Sequence, residues 1–262
     1  MNTMLIKILD KYGTRQEEIV AKPRVLISEL FESKVELKSI IENQGRKVKM
    51  TPFDWPRDWF LYWRKKFISN KSFKKVGEQG NFVFGKDYCL STDYAFSDNQ
   101  FGKNKLCKYV DNKQQKEKEV LEEFLGVPIY KAIMKNVGNP REHVPHIDLF
   151  ALTHPTSNML IIDTQLYDVN KDIFYEISEK HKTEIVVYNS KDERYRYPYN
   201  CLVLQDGFVI ANSKTPRFND LLKELGIEFE TVESDYSTKL GGSIRCRTHF
   251  APNYDFVRKR PK

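Results

Sequence analysis

A glycine-rich turn that leads into a cysteine lies near the end of the chain and has the residue types of a catalytic nucleophile. The stretch runs Gly241-Gly242-Ser243-Ile244-Arg245-Cys246-Arg247-Thr248. Glycine lets the backbone approach another group closely because it has no Cβ, and a neighbouring cation lowers the pKa of a thiol, whose thiolate is the nucleophile. Taken alone, the stretch is better explained as a turn followed by a strand with a buried, inert cysteine, so a catalytic role requires partners elsewhere.

Three upstream motifs supply groups that a reactive cysteine needs. They are Arg57-Asp58, Glu78-Gln79-Gly80-Asn81 and His146-Ile147-Asp148. A histidine can move protons for a cysteine nucleophile, and a carboxylate accepts a pair of N–H groups from a planar cation in bidentate fashion. Each motif alone also has a structural explanation, such as a local ion pair for Arg57-Asp58. His143, His154 and His249 belong to no motif, so we expect structural roles for them.

Composition predicts a globular protein with one domain spanning residues 1–262. The chain has 40% hydrophobic and 30% charged residues, which is ordinary for soluble proteins. No run of 18 apolar residues is present, so no membrane span is expected. The start of the chain lacks the features of a signal peptide, which predicts a cytoplasmic protein with reduced thiols. The four cysteines have no metal-ligand spacing, and we expect Cys89, Cys107 and Cys201 to be packing residues.

The basic character of the chain is spread over its length. The net charge is +7 and the isoelectric point is about 9.0, which permits contact with nucleic acid. The basic residues form only short groups, such as Lys65-Lys66 and Lys74-Lys75. This dispersal favours a solvated basic surface over a nucleic-acid-binding one. A cationic substrate would therefore have to be attracted by local carboxylates.

A hairpin, a helix and a strand recur in that order along the chain. The three predicted hairpins are 81–92, 146–163 and 200–213, the helices are 116–125, 170–182 and 216–225, and the strands are 128–134, 184–188 and 227–232. Such repetition indicates a repeated architecture and not a doubly wound parallel sheet. An ordinary α+β protein with accidental repeats is the alternative.

The chain ends contain pieces of further units. Strands are predicted at 24–30 and 47–50 with a helix at 31–43 between them, and Gly45 follows as a helix stop. An aromatic strand at 58–63, which Pro56 is expected to begin, and a segment at 243–250 would complete the remaining units. Residues 64–77 are basic and predicted to form a loop.

The order of these motifs resembles that of the guanidino-group-modifying superfamily. Its members include arginine deiminases, agmatine deiminases, dimethylargininases and amidinotransferases. The resemblance covers roughly residues 55 to 250 and implies the pentein fold, an α/β propeller of five ββαβ units around a pseudo-five-fold axis. It also implies a small guanidino substrate and no metal or organic cofactor.

The resemblance assigns roles to the motif residues one at a time. Asp58, in the Arg-Asp motif, is similar to a carboxylate that binds guanidinium, with Arg57 beside it. Glu78 and Asn81 match the family's Glu-Gly-Gly-Asp/Asn motif, in which Gln79 here replaces the first glycine. His146 and Asp148 match the His-x-Asp motif. These residues are expected to bind substrate or to take part in catalysis.

The nucleophile motif matches Gly241-Gly242 through Cys246. Arg245 before Cys246 resembles arginine deiminases more than agmatine deiminases, and we name Arg245 as a candidate clamp for a substrate carboxylate. Trp59-Phe60-Leu61 stands where agmatine deiminases have Thr-Gly-Pro, and the length is nearer that of a dimethylargininase. The subfamily therefore stays open.

The implied reaction is hydrolysis of a guanidinium group through a covalent amidino-thioether on Cys246. Three alternatives remain at this stage: amidino transfer to an amine, a non-catalytic pentein that acts as a binding protein, and an unrelated nucleic-acid-binding protein. The presence of Cys246, His146, Asp148 and Asp58 together argues for an enzyme. The sequence leaves the exact substrate and homo-oligomer formation open.

Overall fold

The structure is a computed structural model of the 262-residue chain. It describes residues 24–52, 54–58, 60–63, 66–69, 79–92, 95, 112–134, 137, 146–239 and 242–251. The described residues form a mixed α/β protein with small sheets and interspersed helices. None of the helices in this part of the chain combines the length and hydropathy needed to cross a membrane.

The first sheet joins the two ends of the described chain. Strand β1 (Arg24–Ser28) pairs antiparallel with the last strand, β14 (Thr248–Ala251), and parallel with β2 (Val48–Thr51). Helix α1 (Lys34–Asn43) connects β1 to β2 and buries Leu37, Ile40 and Ile41, as its 3.6-residue spacing predicts. The expected completion of a unit by the C-terminal segment is confirmed.

An aromatic hairpin follows. Strand β3 (Phe60–Trp63) pairs antiparallel with β4 (Lys66–Ser69). The prediction of a loop over 64–77 is wrong for β4, because the segment contains two adjacent residues that favour strands, Phe67 and Ile68, and pairs despite its basic surroundings. Pro56 begins a short 3₁₀ turn, Pro56–Asp58, and not the strand itself.

The three internal repeats have one common topology. In each, an antiparallel hairpin is followed by a helix and then by a strand parallel to the hairpin's second strand. The first contains β5 (Phe82–Phe84), β6 (Cys89–Thr92), α2 (Asn112–Leu125) and β7 (Ile129–Ala132). The second contains β8 (Ala151–His154), β9 (Met159–Asp163), α3 (Thr164–Val169), α4 (Lys171–His181) and β10 (Glu184–Tyr188). The third contains β11 (Leu202–Val203), β12 (Val209–Asn212), α5 (Pro216–Glu224) and β13 (Phe229–Val232).

The split first sheet has the same topology when β14 is counted before β1. The predicted repetition is therefore confirmed in four of the described sheets, and the fifth consists of β3 and β4. A final short helix, α6 (Asp235–Lys239), precedes the cysteine-containing turn. The sequence did not predict α3 or α6.

The predicted capping of α4 by Asn170 takes a different form. Asn170 occupies the N-cap position, but its side chain makes no cap hydrogen bond. Instead its Oδ1 accepts from the Ile133 amide at 2.7 Å, and its Nδ2 donates to the carbonyls of Ile133 and Leu166. Asn170 thus joins two helices to the segment after β7, because a buried amide must satisfy its donors and acceptor wherever partners lie.

Candidate active site

Three short 3₁₀ turns carry the upstream motifs, and they pack against one another. The turn Pro56–Asp58 contacts the turn Gln79–Asn81, which in turn contacts Ile147–Leu149. The His-x-Asp motif was expected on a strand, but His146 immediately precedes this last turn and β8 begins only afterwards. The structure therefore brings together motifs that are far apart in the sequence.

Gly80 lies directly against the imidazole of His146. A Cβ placed on Gly80 would be 2.3 Å from His146 Nδ1 and 2.9 Å from its Cε1, far inside van der Waals contact. His146 is buried, with 8% of its surface exposed. Only glycine fits at position 80 with the ring in this place, which gives a physical reason for the glycine in the Glu-Gln-Gly-Asn motif.

Cys246 lies in a tightly wound turn. The Arg247 amide donates to the Ser243 carbonyl at 3.2 Å, and the Thr248 amide donates to the Arg245 carbonyl at 3.2 Å. Cys246 is 6% exposed and belongs to the same buried cluster as Ile147. The nucleophile candidate thus shares a buried cluster with the residue at the centre of the His-x-Asp motif.

Gly242 allows this packing. A Cβ on Gly242 would be 3.1 Å from Cys246 Sγ and 2.7 Å from Cζ3 of Trp55. The backbone at Gly242 and the Trp55 ring therefore form adjacent walls beside the thiol. This is the close approach that the glycine pair suggested; Gly241 itself lies outside the described residues.

The Trp55 wall is held by Arg247. The Arg247 guanidinium carbon lies 3.8 Å from the ring centroid of Trp55, in cation–π geometry. Arg247 also donates to the Asp54 carbonyl at 2.9 Å and to Ser237 Oγ at 3.0 Å, and it forms an ion pair with the Asp54 carboxylate. Burial lowers the pKa of this guanidinium. Arg247 therefore organises the wall of the site.

Asp148 lies between two arginines. Its Oδ2 is 3.3 Å from Arg245 Nε and 4.0 Å from Arg57 Nε, and its side chain is fully buried. No donor among the described residues forms a hydrogen bond with either carboxylate oxygen of Asp148. Asp148 therefore faces two buried arginine side chains, two residues after His146 in the chain.

The two arginines also tie the motifs to one another. Arg57 Nε donates to the Arg245 carbonyl at 2.8 Å across 188 positions in the sequence. Arg245 Nη2 donates to the Phe82 carbonyl at 3.2 Å. Both side chains are buried and make these contacts within the protein. The predicted role of Arg245 as a clamp for a substrate carboxylate and that of Arg57 in substrate binding stay predictions.

The side chains of two predicted carboxylates, Asp58 and Glu78, lie outside the described residues. Asp58 ends the turn Pro56–Asp58, and the backbone of Glu78 lies outside the described residues as well. Asn81 is buried, and its backbone carbonyl accepts a hydrogen bond from Ser91 Oγ at 2.9 Å. The turn that contains Asp58 nevertheless packs against the turn after Glu78.

Asn200, which belongs to none of the sequence motifs, lies between the two halves of the site. Its Oδ1 accepts hydrogen bonds from the amides of Ser243 and Cys246, at 3.0 and 3.1 Å. Its Nδ2 donates to the Asp148 carbonyl at 3.3 Å. The one signal in the sequence was an isolated amide between Tyr199 and Cys201, at the start of an apolar strand.

The other described cysteines have the properties of packing residues. Burial raises the pKa of the Cys89 thiol well above its ordinary value and that of Cys201 to about 12. Both thiols are therefore protonated at neutral pH and react slowly, since the thiolate is the nucleophile. The prediction of packing roles agrees with these environments, whereas Cys107 lies outside the described residues.

We expect Cys246 to be alkylated before Cys89 and Cys201 at neutral pH, because the latter two are held as thiols by burial. The measurement is iodoacetamide labelling over time, followed by peptide mass spectrometry. A Cys107→Ser background removes the one cysteine whose environment is undescribed. Faster labelling of Cys89 or Cys201 than of Cys246, with activity retained, would exclude Cys246 as the nucleophile.

Replacement of Gly80 by alanine is expected to lower turnover about 100-fold or more, since a small displacement of a catalytic group can cost that much. The new methyl group would collide with His146 Nδ1, so the ring must move. Gly85→Ala is the matched control, because its Cβ would lie 2.2 Å from the Tyr88 ring. Turnover and thermal midpoints of both variants should be measured; equal losses of turnover would contradict the prediction.

Comparison of the sequence with models of known families and with curated proteins finds no match. Comparison of the structure with solved structures finds guanidino-modifying enzymes. The arginine dihydrolase ArgZ from the ornithine-ammonia cycle in cyanobacteria superposes with a TM-score of 0.59 at 12% identity, covering 88% of this chain and 40% of that one. The chain thus spans less than half the length of ArgZ.

Two further structures match over more of their own length. Dimethylarginine dimethylaminohydrolase from Pseudomonas aeruginosa, in complex with citrulline, gives a TM-score of 0.56 at 12% identity, covering 88% of this chain and 99% of that one. The amidinotransferase SxtG from Microseira wollei gives 0.57 at 13% identity, covering 86% and 80%. The resemblance predicted from the sequence motifs is confirmed at the level of the fold: this chain has the mixed α/β fold of the guanidino-group-modifying pentein enzymes.

Proposed function

We propose that this protein is a cysteine-dependent hydrolase that acts on the guanidinium group of an arginine-like substrate. The observation that carries this proposal is the convergence of four motifs on one place. The turns with Arg57-Asp58, Gly80-Asn81 and His146-Asp148 pack together, and Arg57 and Asn200 connect them to the turn that contains Cys246. A cysteine, a histidine and the carboxylate of Asp148, joined in this proposal by those of Asp58 and Glu78, are the groups that guanidinium hydrolysis needs.

The positive charges beside Asp148 favour different roles for Asp148 and for the other two carboxylates, Asp58 and Glu78. Asp148 is already neighboured by Arg57 and Arg245, which together exceed its single negative charge. A cationic guanidinium therefore needs additional negative charge, and Asp58 and Glu78 would supply it. In this scheme Asp58 accepts the guanidinium N–H groups, Glu78 and Asn81 complete the binding loop, and Asp148 orients its neighbours and contributes its remaining acceptor oxygen.

The proposed reaction has two steps. The Cys246 thiolate attacks the guanidinium carbon and forms an S–C bond, and His146 donates a proton to the departing nitrogen as its C–N bond breaks. Ammonia or an amine leaves, and an amidino-thioether remains on Cys246. His146 then takes a proton from water, whose oxygen attacks the same carbon. The S–C bond breaks, which releases the ureido product and restores the thiolate.

The proposal treats residues 1–262 as one catalytic domain in the cytoplasm, where cysteines stay reduced. We further propose that the ββαβ-like units form a five-fold propeller around the site. The four sheets of common topology and the fifth hairpin support that arrangement. No cofactor is required in this scheme, because the thiol and imidazole carry every bond-making and proton-transfer step.

The deciding experiment is a panel of guanidino compounds assayed for ureido product and released ammonia or amine. The panel contains arginine, agmatine, methylated arginines, creatine-like acids and peptidyl arginine. Each is tested with and without a primary amine acceptor, since the fold is also that of an amidinotransferase. Turnover of one compound to a ureido product is expected; product formed only with the acceptor would establish transfer instead, and no turnover of any compound would contradict the proposal.

A further inference from the structure

Two backbone amides in the turn that contains Cys246 donate their hydrogen bonds to an acceptor outside the turn. Within the turn, the amides of Arg247 and Thr248 bond to earlier carbonyls of the same segment. The amides of Ser243 and Cys246 do not; they both donate to Oδ1 of Asn200. The first amides of any helical turn need an external acceptor, and here that acceptor belongs to a residue outside the turn.

The same side chain reaches the other half of the site. Asn200 Nδ2 donates to the carbonyl of Asp148, 52 positions earlier in the sequence, while Cys246 lies 46 positions later. The backbone carbonyl of Asn200 also accepts from the Arg245 amide at 3.0 Å. One residue therefore bonds to the segment of the candidate nucleophile and to the segment of the candidate acid–base residue.

Asn200 is itself firmly anchored. It is 1% exposed, and its amide donates to the Tyr197 carbonyl at 3.0 Å. The preceding Tyr199 is fully buried, and its hydroxyl donates to the Tyr188 carbonyl at 2.8 Å. The following Cys201 donates from Sγ to the Pro198 carbonyl at 3.0 Å. Because this side chain has so little freedom, it holds the turn that contains Cys246 and the segment that contains Asp148 in a fixed relative position.

We infer that Asn200 is a positioning residue that fixes the Cys246 thiol relative to the His146–Asp148 segment. The inference rests on the proposed function for its catalytic meaning, but the geometry that it describes can be tested without a substrate. Both functions of the amide are needed, because an acceptor alone cannot hold Asp148 and a donor alone cannot hold the cysteine turn. Loss of either should disturb the thiol's environment.

The chain offers a matched control in Asn212. It is also 1% exposed, its Oδ1 accepts from the Lys214 amide at 3.0 Å, and its Nδ2 donates to the Arg196 carbonyl at 3.3 Å. None of these partners belongs to the candidate site. Asn200→Leu and Asn212→Leu therefore remove comparable buried hydrogen bonds, and both are expected to lower the thermal midpoint.

The readouts that separate positioning from stability are the pH profile of Cys246 alkylation and the division of the kinetic effect between kcat and KM. Iodoacetamide labelling of the Cys246 peptide is measured by mass spectrometry from about pH 6 to about pH 10, a range that brackets the ordinary pKa of a thiol. Asn200→Leu is expected to move the midpoint of this profile by at least about 0.5 pH unit and to lower kcat about 100-fold with little change in KM. Asn212→Leu should change neither.

Asn200→Asp keeps the test decisive if the leucine variant does not fold. It preserves the acceptor for Ser243 and Cys246, removes the donor to Asp148, and adds a negative charge near the thiol. The alkylation midpoint should rise, because a neighbouring anion disfavours the thiolate. An unchanged midpoint in every Asn200 variant that folds, or a change equal to that in Asn212→Leu, would overturn the inference.

Failure of the proposed function gives a different pattern. In that case the wild-type protein converts no guanidino compound, yet the alkylation midpoint still moves in the Asn200 variants and not in the Asn212 control. If the inference about Asn200 is wrong, the wild-type protein is active and the Asn200 variants that fold retain its kcat.

Discussion

The Cys246→Ala variant is expected to lose at least about 10⁴-fold in turnover of the active guanidino compound, equivalent to about 5.4 kcal/mol of activation free energy. The methyl group cannot form the S–C bond, so the covalent route is closed. Cys246 belongs to the same buried cluster as Ile147, with only 6% of its surface exposed, and alanine leaves a small space that disturbs the turn little. Substrate should still bind, which isothermal titration calorimetry measures.

Cys201→Ala is the control for this variant. Cys201 is also buried, but burial raises the pKa of its thiol to about 12, and it lies in a separate core cluster from Cys246. Its replacement should lower the thermal midpoint and leave turnover within a few-fold of wild type. Near-normal turnover in Cys246→Ala would disprove the covalent mechanism, whatever the behaviour of the control.

The repeated fold could be predicted because its signals are local. Each hairpin of the three internal repeats has a turn marked by glycine or proline, and glycines with positive φ follow the helices at Gly45, Gly126 and Gly226. Those features depend only on neighbouring residues. Strand β4 escaped prediction because it is only four residues long and lies in a basic segment. Helix α3 was missed because Asp163 caps it directly at the end of β9, with no intervening loop.

The site could be predicted only in part, because its contacts join residues remote in sequence. The motif order identified the residues that converge, yet no spacing indicates that Arg57 bonds to the Arg245 carbonyl across 188 positions. The arginines beside Cys246 were expected to act on the thiol. In the structure, Arg245 contacts Asp148 and Arg247 stacks on Trp55, so both also organise the walls and carboxylate of the site. Asn200 belongs to the same class of long-range contacts.

A second large effect is expected from His146→Asn, whose reaction should stop at the covalent intermediate. Asparagine retains some of the volume of the buried ring but has no group that takes a proton from water, so hydrolysis of the amidino-thioether should slow about 10³-fold. Attack by Cys246 can still occur when the departing nitrogen takes its proton from solvent. We therefore expect the peptide that contains Cys246 to gain the mass of the active compound minus that of the ammonia or amine that leaves.

His154→Asn is the matched control for the histidine variant. His154 is likewise buried, and its ring contacts Ser157 Oγ at 2.6 Å and the Gly207 carbonyl at 2.7 Å, away from the candidate site. That variant should be less stable but should turn over substrate and accumulate no adduct. An unmodified Cys246 peptide in His146→Asn together with wild-type turnover would exclude His146 as the acid–base residue. A trapped adduct that also vanishes in the His146→Asn, Cys246→Ala double variant would assign the thiol as its site of attachment.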